Sequence, residues 1–377
     1  MRGITISQYK ISVIIPVYNG EKYLKNALDS LLNQTIGFEN LEVIIVNDCS
    51  RDNSKEIIEE FKMENSVSNE SGSSNIITIH LDENIGGAYG PRNIALQHAS
   101  ADYLMFLDAD DSFEEDACEI LYNKINEYDC DIAFGRYLRH YPEKNIVRKS
   151  YTPYAETLDV PYLDDLVNGS NISGFSGFLW RYFISYFFYG REINRNDNHE
   201  IFIKDLKMEN KKDMAILKIL PSFWTKIYKR SLIEDNDIEF PQFVSAEDLN
   251  FLLLALFNAD GILFLNDAVV YNYYMRLDEE EKSVTKNINF RLVYDSIKAY
   301  RMASEICDAY GIKSKDLFLN PYLLNWISLW MGRNNSKEDN MEFQKEIELL
   351  KKGKKPGIKY MVILEFIDLL LRFKSLL

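Results

Sequence analysis

The stretch Asp108-Ala109-Asp110-Asp111 sets three carboxylates within four residues, directly after the apolar run Tyr103 to Leu107. Carboxylates that close repel one another unless a proton or a cation neutralises them. The apolar run predicts a strand, which would hold them rigidly at its mouth. Hard oxygen ligands suit Mg2+ or Mn2+, and such an ion in turn bridges diphosphate oxygens. An Asp-rich turn capping a helix from about Glu114 to Ile125 would use the same residues. The D-x-D spacing alone leaves both readings open.

The elements that would position this cluster alternate. Ile11 to Ile15, Leu41 to Val46, Ile76 to Leu81 and Tyr103 to Leu107 read as strands. Glu21 to Leu32, Ser54 to Phe61 and Gly90 to Ala99 carry helical spacing between them, with Ser50 or Asp52 as a cap for the second. Strand-helix alternation of this kind predicts an α/β fold, a mostly parallel sheet flanked by helices on both faces. Ligands of such sheets bind beyond the carboxyl ends of the strands. The unusual residues fall there: Pro16-Val17-Tyr18-Asn19-Gly20, Asn47-Asp48-Cys49-Ser50, Asp82 to Gly87, and the acidic cluster. Any one of these could be turn chemistry, but four on one edge describe a site.

Composition narrows the partners. The formal net charge of −15 argues against nucleic acid, which needs a basic surface. A nucleotide diphosphate would then need a cation or a local Arg or Lys. Four cysteines without a C-x-x-C pair, and only four histidines, argue against structural zinc and fit a reducing compartment. The run Ile11 to Pro16 is too short for a signal peptide, and no window of about 20 residues is apolar enough to span a bilayer. The expected location is cytoplasmic.

Further along, Ser222 to Ile233 and Glu247 to Phe257 read as helices and Gly261 to Tyr274 as strands, with helices from Asn289 onward. The aromatic run Phe178 to Tyr189 suits a buried or interfacial helix. Ile358 to Leu377 puts Glu365, Asp368 and Arg372 on one stripe of an otherwise apolar helix, behind Lys351-Lys352-Gly353-Lys354-Lys355. Such a helix either lies peripherally on the inner face of an anionic membrane or docks on the domain or on a second subunit, as in a homo-oligomer.

The segments Ser12 to Gly20, Val46 to Ser50, Asn84 to Gly87 with Arg92-Asn93, and Phe106 to Asp111 together resemble the family 2-type inverting glycosyltransferases of GT-A fold. Phe223 to Lys229, Ala246 to Phe251 and Tyr273 to Arg276 resemble the acceptor-side motifs of that family, in enzymes that decorate bacterial wall polymers, capsules and lipid-linked glycans. The resemblance implies a nucleotide-sugar-binding half over 1–135, an acceptor-side half with the aromatic insertion over 136–288, and a C-terminal helical region over 289–377. It implies a nucleotide-diphosphate sugar donor, most simply UDP-linked, and a glycan, wall-polymer or lipid-linked acceptor.

By matching position, Pro16 and Asp48 would line the nucleobase pocket, Asn84 and Arg92 would close the nucleotide site, and Asp108 would contact ribose or donor sugar. Asp110 would be the principal ligand of Mn2+ or Mg2+. Inversion requires a carboxylate to take the acceptor proton; Asp248, in the Glu-Asp pair at a helix start, matches that role, with Glu247 beside it. Helix-dipole preference for first-turn acids would place the same two residues there. Trp224 either stacks on a sugar or belongs to the core. Arg276 with Ser283 would clamp the diphosphate. Asn47 and Cys49 stand where many members have Asp and Gly. No Gln-x-x-Arg-Trp motif occurs, which fits transfer of single sugars rather than processive synthesis.

Two other classes use similar parts. A nucleotidyltransferase needs an early Gly-rich basic loop, absent from Pro16 to Glu21, and a non-catalytic binding module would not need the second acidic pair. A dinucleotide oxidoreductase is disfavoured because no G-x-G-x-x-G follows the first strand.

Overall fold

The computed structural model describes residues 8–68, 74–142, 145–149, 200–204, 223–275, 289–311, 336–352 and 365. Within them the expected alternation is present: β1 (Ile11–Val17), α1 (Leu24–Leu32), β2 (Leu41–Asn47), α2 (Ser54–Asn65), β3 (Ile76–His80), α3 (Tyr89–His98) and β4 (Tyr103–Phe106). β5 (Ser112–Phe113), α4 (Ala117–Glu127), β6 (Ile132–Tyr141), β7 (Ile146–Lys149) and β8 (Glu200–Lys204) follow. The later part holds β9 (Lys226–Lys229), α5 (Arg230–Asp235), α6 (Glu247–Asn258), β10 (Gly261–Tyr274), α7 (Phe290–Ala309) and α8 (Lys337–Lys352).

The ten described strands form one sheet with the main order β3-β2-β1-β4-β9-β6-β10-β5, while β7 pairs with β6 and β8 with β10. β3, β2, β1 and β4 run parallel, in register from Ile11 opposite Leu41 and from Ile14 opposite Phe106. Both faces of this half are covered, so β1 and β2 are rich in Val and Ile, with nearly every residue buried. β9 enters antiparallel between β4 and β6, and β6 runs parallel to β10.

One local expectation changes here. Ser222 to Ile233, read as a helix, has its described part as a short 3-10 turn at Phe223–Thr225, then β9, then α5. Four residues are too few for a period to declare itself, and pairing on both sides with β4 and β6 decides the conformation. Gly261 to Tyr274 is one long strand with irregular register between Phe264 and Tyr271.

Beneath the acidic cluster the sheet is held by rings. Phe106, the last residue of β4, meets Phe223, Tyr228, Phe240 and Phe251 edge to face, with centroids 5.4–5.9 Å away. Phe240 and Phe251 stack at 4.0 Å. Each fully buried ring contributes about 1.5–3 kcal/mol of burial. This aromatic cluster fastens the end of β4 to α6, the two elements from which the acidic motifs project.

Arg276, Ser283, the run Phe178 to Tyr189 and, apart from Glu365, the segment Ile358 to Leu377 lie outside the described residues. No helix among the described residues is long and apolar enough to cross a membrane. All four cysteines are unpaired.

Candidate active site

The loops after β1 and β2 are stitched together by side chains. Asn19 N donates to Ser50 Oγ at 2.9 Å, Gly20 N to Ser54 Oγ at 2.8 Å, and Glu21 N to Asp52 Oδ2 at 2.9 Å. In return Arg51 N donates to Asn19 Oδ1 at 2.8 Å. Asp48 N continues the ladder by donating to Val17 O at 2.8 Å, so Asp48 stands beside the end of β1 next to half-buried Pro16.

The Asp48 side chain is buried. It accepts from Asn84 Nδ2 at 2.9 Å and from Ile85 N at 2.8 Å. Burial raises its carboxyl above the ordinary range, while the N–H groups of Ile85 and Gly86 pull it back. Asn84 also donates to Asp48 O at 2.9 Å. Asn84 and Asp48 therefore organise each other, fixing the loop after β3 against the loop after β2. Gly86 in that loop has φ +86°, a conformation open to glycine.

Cys49 has φ +57°. The sequence departs there from the glycine common in the family it resembles, and an L-residue in this region costs roughly 1–2 kcal/mol. Cys49→Gly should therefore stabilise the fold by about 1 kcal/mol, because glycine meets no Cβ penalty there. A higher denaturant midpoint at unchanged m-value would show it; an unchanged or lower midpoint would mean that the thiol contact to Asp82 O, at 3.4 Å, offsets the strain.

The acidic cluster divides its labour. Asp108 is half-buried and its Oδ1 receives Arg92 Nη2 at 2.8 Å. Asp111 is buried, accepting from Tyr271 Oη at 3.0 Å and from Tyr274 N at 2.9 Å. Burial, then the charges of Asp110 and Asp108, hold its carboxyl well above the usual range. Asp111 is thus the anchor of the loop on β10, a function the sequence did not mark. Asp110, between Asp108 and Asp111, is half-buried.

Among the described residues no group of three or more His, Cys, Asp or Glu forms a preassembled metal cage. The donor set fits a hard cation held by one carboxylate together with ligand phosphate oxygens, the manner in which Mg2+ is usually bound.

The second acidic pair opens α6. Ala246, the residue before it, has φ +58° and ψ +22°, a left-handed position for a non-glycine. Glu247 Oε1 receives Arg92 Nη1 at 2.8 Å. Asp248 is half-buried, its Oδ1 accepting from Leu249 N at 2.9 Å. Desolvation at this enclosed position, with Glu247 beside it, pushes its carboxyl up to about 8 against the pull of Arg92.

Arg92 therefore joins the two acidic motifs. Its guanidinium is buried, lying 4.5 Å over the Phe223 ring and 5.2 Å over that of Phe240. Burial opposes its charge, but Asp108 and Glu247 outweigh burial and hold it above its ordinary value.

Trp224 stacks on Tyr271 at 4.2 Å and lies parallel to Tyr273 at 5.6 Å. It is partly buried and packs on the core that holds β10. Lys226, one strand position into β9, is fully buried, with its ammonium 4.8 Å over the Phe134 ring. Burial pushes it down to about 7, against the pull of Asp248. The Phe223 to Lys229 motif contains Lys226 but gave it no role; its burial follows from β9 lying between β4 and β6.

An acidic loop at the carboxyl edge of a Rossmann-like sheet, with antiparallel β9 inserted beside its strand and an acid pair at a later helix start, defines the GT-A class of fold. Residues 12–202 match the model of Glycosyl transferase family 2, more than half of the 377 residues, and the chain belongs to that family. It is 28% identical over 316 residues to the poly(ribitol-phosphate) beta-glucosyltransferase of Bacillus spizizenii, covering 82% of this chain and 40% of the relative. It is 41% identical over 129 residues to glycosyltransferase GlyA of Streptococcus pneumoniae, covering 34% of this chain and 17% of GlyA. The chain thus spans less than half the length of these curated relatives. The crystal structure of S. aureus TarS 1–349 in complex with UDP superposes with a TM-score of 0.59 at 21% identity, covering 97% of this chain and 89% of that one.

Proposed function

We propose that this chain is an inverting glycosyltransferase that moves one sugar from a UDP-sugar to a hydroxyl of a wall polymer of the polyol-phosphate class. The observation that carries this reading is the joining of the two acidic motifs by Arg92, which sets a donor-side carboxylate loop against an acid pair in one site. The names of the relatives support the donor and acceptor classes: the B. spizizenii protein acts on poly(ribitol-phosphate), and TarS has been crystallised with UDP and with UDP-GlcNAc.

In this reading the acceptor oxygen attacks the anomeric carbon on the face opposite the diphosphate. The new C–O bond forms as the bond from that carbon to the β-phosphate oxygen breaks, and the electron pair leaves with UDP. The acceptor proton passes to the Asp248 carboxylate. A divalent cation, Mn2+ or Mg2+, would offset charge on the departing diphosphate, and Asp110 is the residue that would hold it. Asp108 would face the donor ribose or sugar. Pro16 and Asp48, braced by Asn84, would form the wall of the base pocket, with Arg276 and Ser283 as candidates for the diphosphate clamp. Trp224 is better accounted for as a support of β10 than as a sugar platform.

A thermal-shift panel of UDP-glucose, UDP-GlcNAc, UDP-galactose and UDP, with and without Mn2+, tests the reading. At a hundred times Kd a true donor should add about 2.7 kcal/mol of stability. Absence of any shift with every UDP compound would overturn the assignment.

A further inference from the structure

We propose that Arg92 is a positioning residue, tying the acidic loop after β4 to the head of α6 so that Glu247 and Asp248 stand in fixed relation to the donor-side carboxylates. The proposal rests on the glycosyl-transfer reading above for its catalytic meaning, and on geometry for its physical content. An arginine meant for a diphosphate keeps its fork for the ligand. Here Nη2 is taken by Asp108 and Nη1 by Glu247, both at 2.8 Å, and the side chain is only 5% exposed. The rings of Phe223 and Phe240 hold the guanidinium in place, so its orientation is set before any ligand arrives.

The turn it secures is strained. Ala246 sits in the left-handed region immediately before Glu247. Non-glycine residues persist there only where the surroundings over-determine them. The bond from Arg92 to Glu247 fastens the next residue and thereby the direction in which α6 starts.

The charges around Asp248 come from three further elements. Glu247 lies on its own helix, Arg92 on α3 and Asp108 on the loop after β4, while Lys226 and Tyr228 lie on β9. Glu247 and Asp108 disfavour an ionised Asp248, and Arg92 opposes them. Without the guanidinium, Glu247 would stand uncompensated beside the base.

The test follows Asp248 directly, by carboxyl 13C NMR titration of Asp-labelled protein assigned with Asp248→Asn, alongside UDP-sugar binding by calorimetry and kcat against pH. Arg92→Gln should raise the Asp248 midpoint by about one pH unit and Glu247→Gln should lower it by a similar amount, since each removes one charge from contact range. Arg92→Lys should leave that midpoint within about half a unit of wild type but cut kcat about tenfold, because a point-charge ammonium cannot span both carboxylates. Donor Kd should stay within about threefold in all three, as expected where transition-state rather than ground-state interactions are lost. Should Arg92→Gln fail to fold, Arg92→Lys and Glu247→Gln carry the test. Weakened donor binding with unmoved midpoints would instead make Arg92 a donor ligand and overturn the proposal. A wild-type protein that transfers no sugar would sink the glycosyltransferase reading, whereas an active one with unmoved midpoints would sink this inference alone.

Discussion

Asp248→Asn should lower kcat by about 10²- to 10⁴-fold, the range for loss of a general base, with UDP-sugar affinity retained. Asparagine keeps the shape and the contact to Leu249 N but cannot accept the acceptor proton. The pH profile makes the expectation sharper. Only the ionised carboxylate is a base, and desolvation with Glu247 beside it holds the group near 8. Wild-type kcat/KM, which reports the ligand-free enzyme, should therefore rise with pH, about tenfold per unit on the acid side of 8, and level off above it. That limb should vanish in the variant. An Asp248→Asn protein that kept more than a tenth of wild-type turnover would move the base elsewhere, with Glu247 the neighbouring carboxylate to examine.

Asp110→Asn should remove metal stimulation and cost about 10²-fold or more in kcat, since a bound cation supplies several kcal/mol of charge stabilisation to such reactions. The expectation follows from Asp110 standing at the metal-ligand position of the D-x-D motif that the chain shares in pattern with its family, whereas Asp111, buried against Tyr271 and Tyr274, serves the fold. Titrating turnover with Mn2+ in wild type and variant provides the measurement. The same degree of Mn2+ stimulation in both would show that Asp110 does not hold the ion. Asp111→Asn is the useful contrast, because it should first lower the melting temperature by loosening the loop from β10.

The strand ends were readable because parallel strands buried on both faces leave long apolar runs, and the residues that interrupt them announce the site edge. Asp48, Asp108 and Asp110 were singled out in that way, as the polar residues that follow β2 and β4. What was not readable depended on partners remote in the chain. Asp111 turns inward because Tyr271 and Tyr274 await it across the sheet, and nothing near position 111 says so. The tie from Arg92 to Glu247 spans 155 positions, and no local pattern announces it. β9 escaped for a different reason: its four residues are shorter than any periodicity can resolve, and its conformation is dictated by β4 and β6 on either side.

The same β9 governs how this chain can be divided. The residues that match the family model stop at 202, whereas the strand that closes the gap between β4 and β6 begins at Lys226. A fragment cut at that boundary would keep the acidic loop but split its sheet, leaving two open hydrogen-bonding edges where a shared neighbour belongs. Open edges of that kind recruit other chains. Grafting the donor half onto a different acceptor half would accordingly succeed only if the junction carries residues 223–229 along with it.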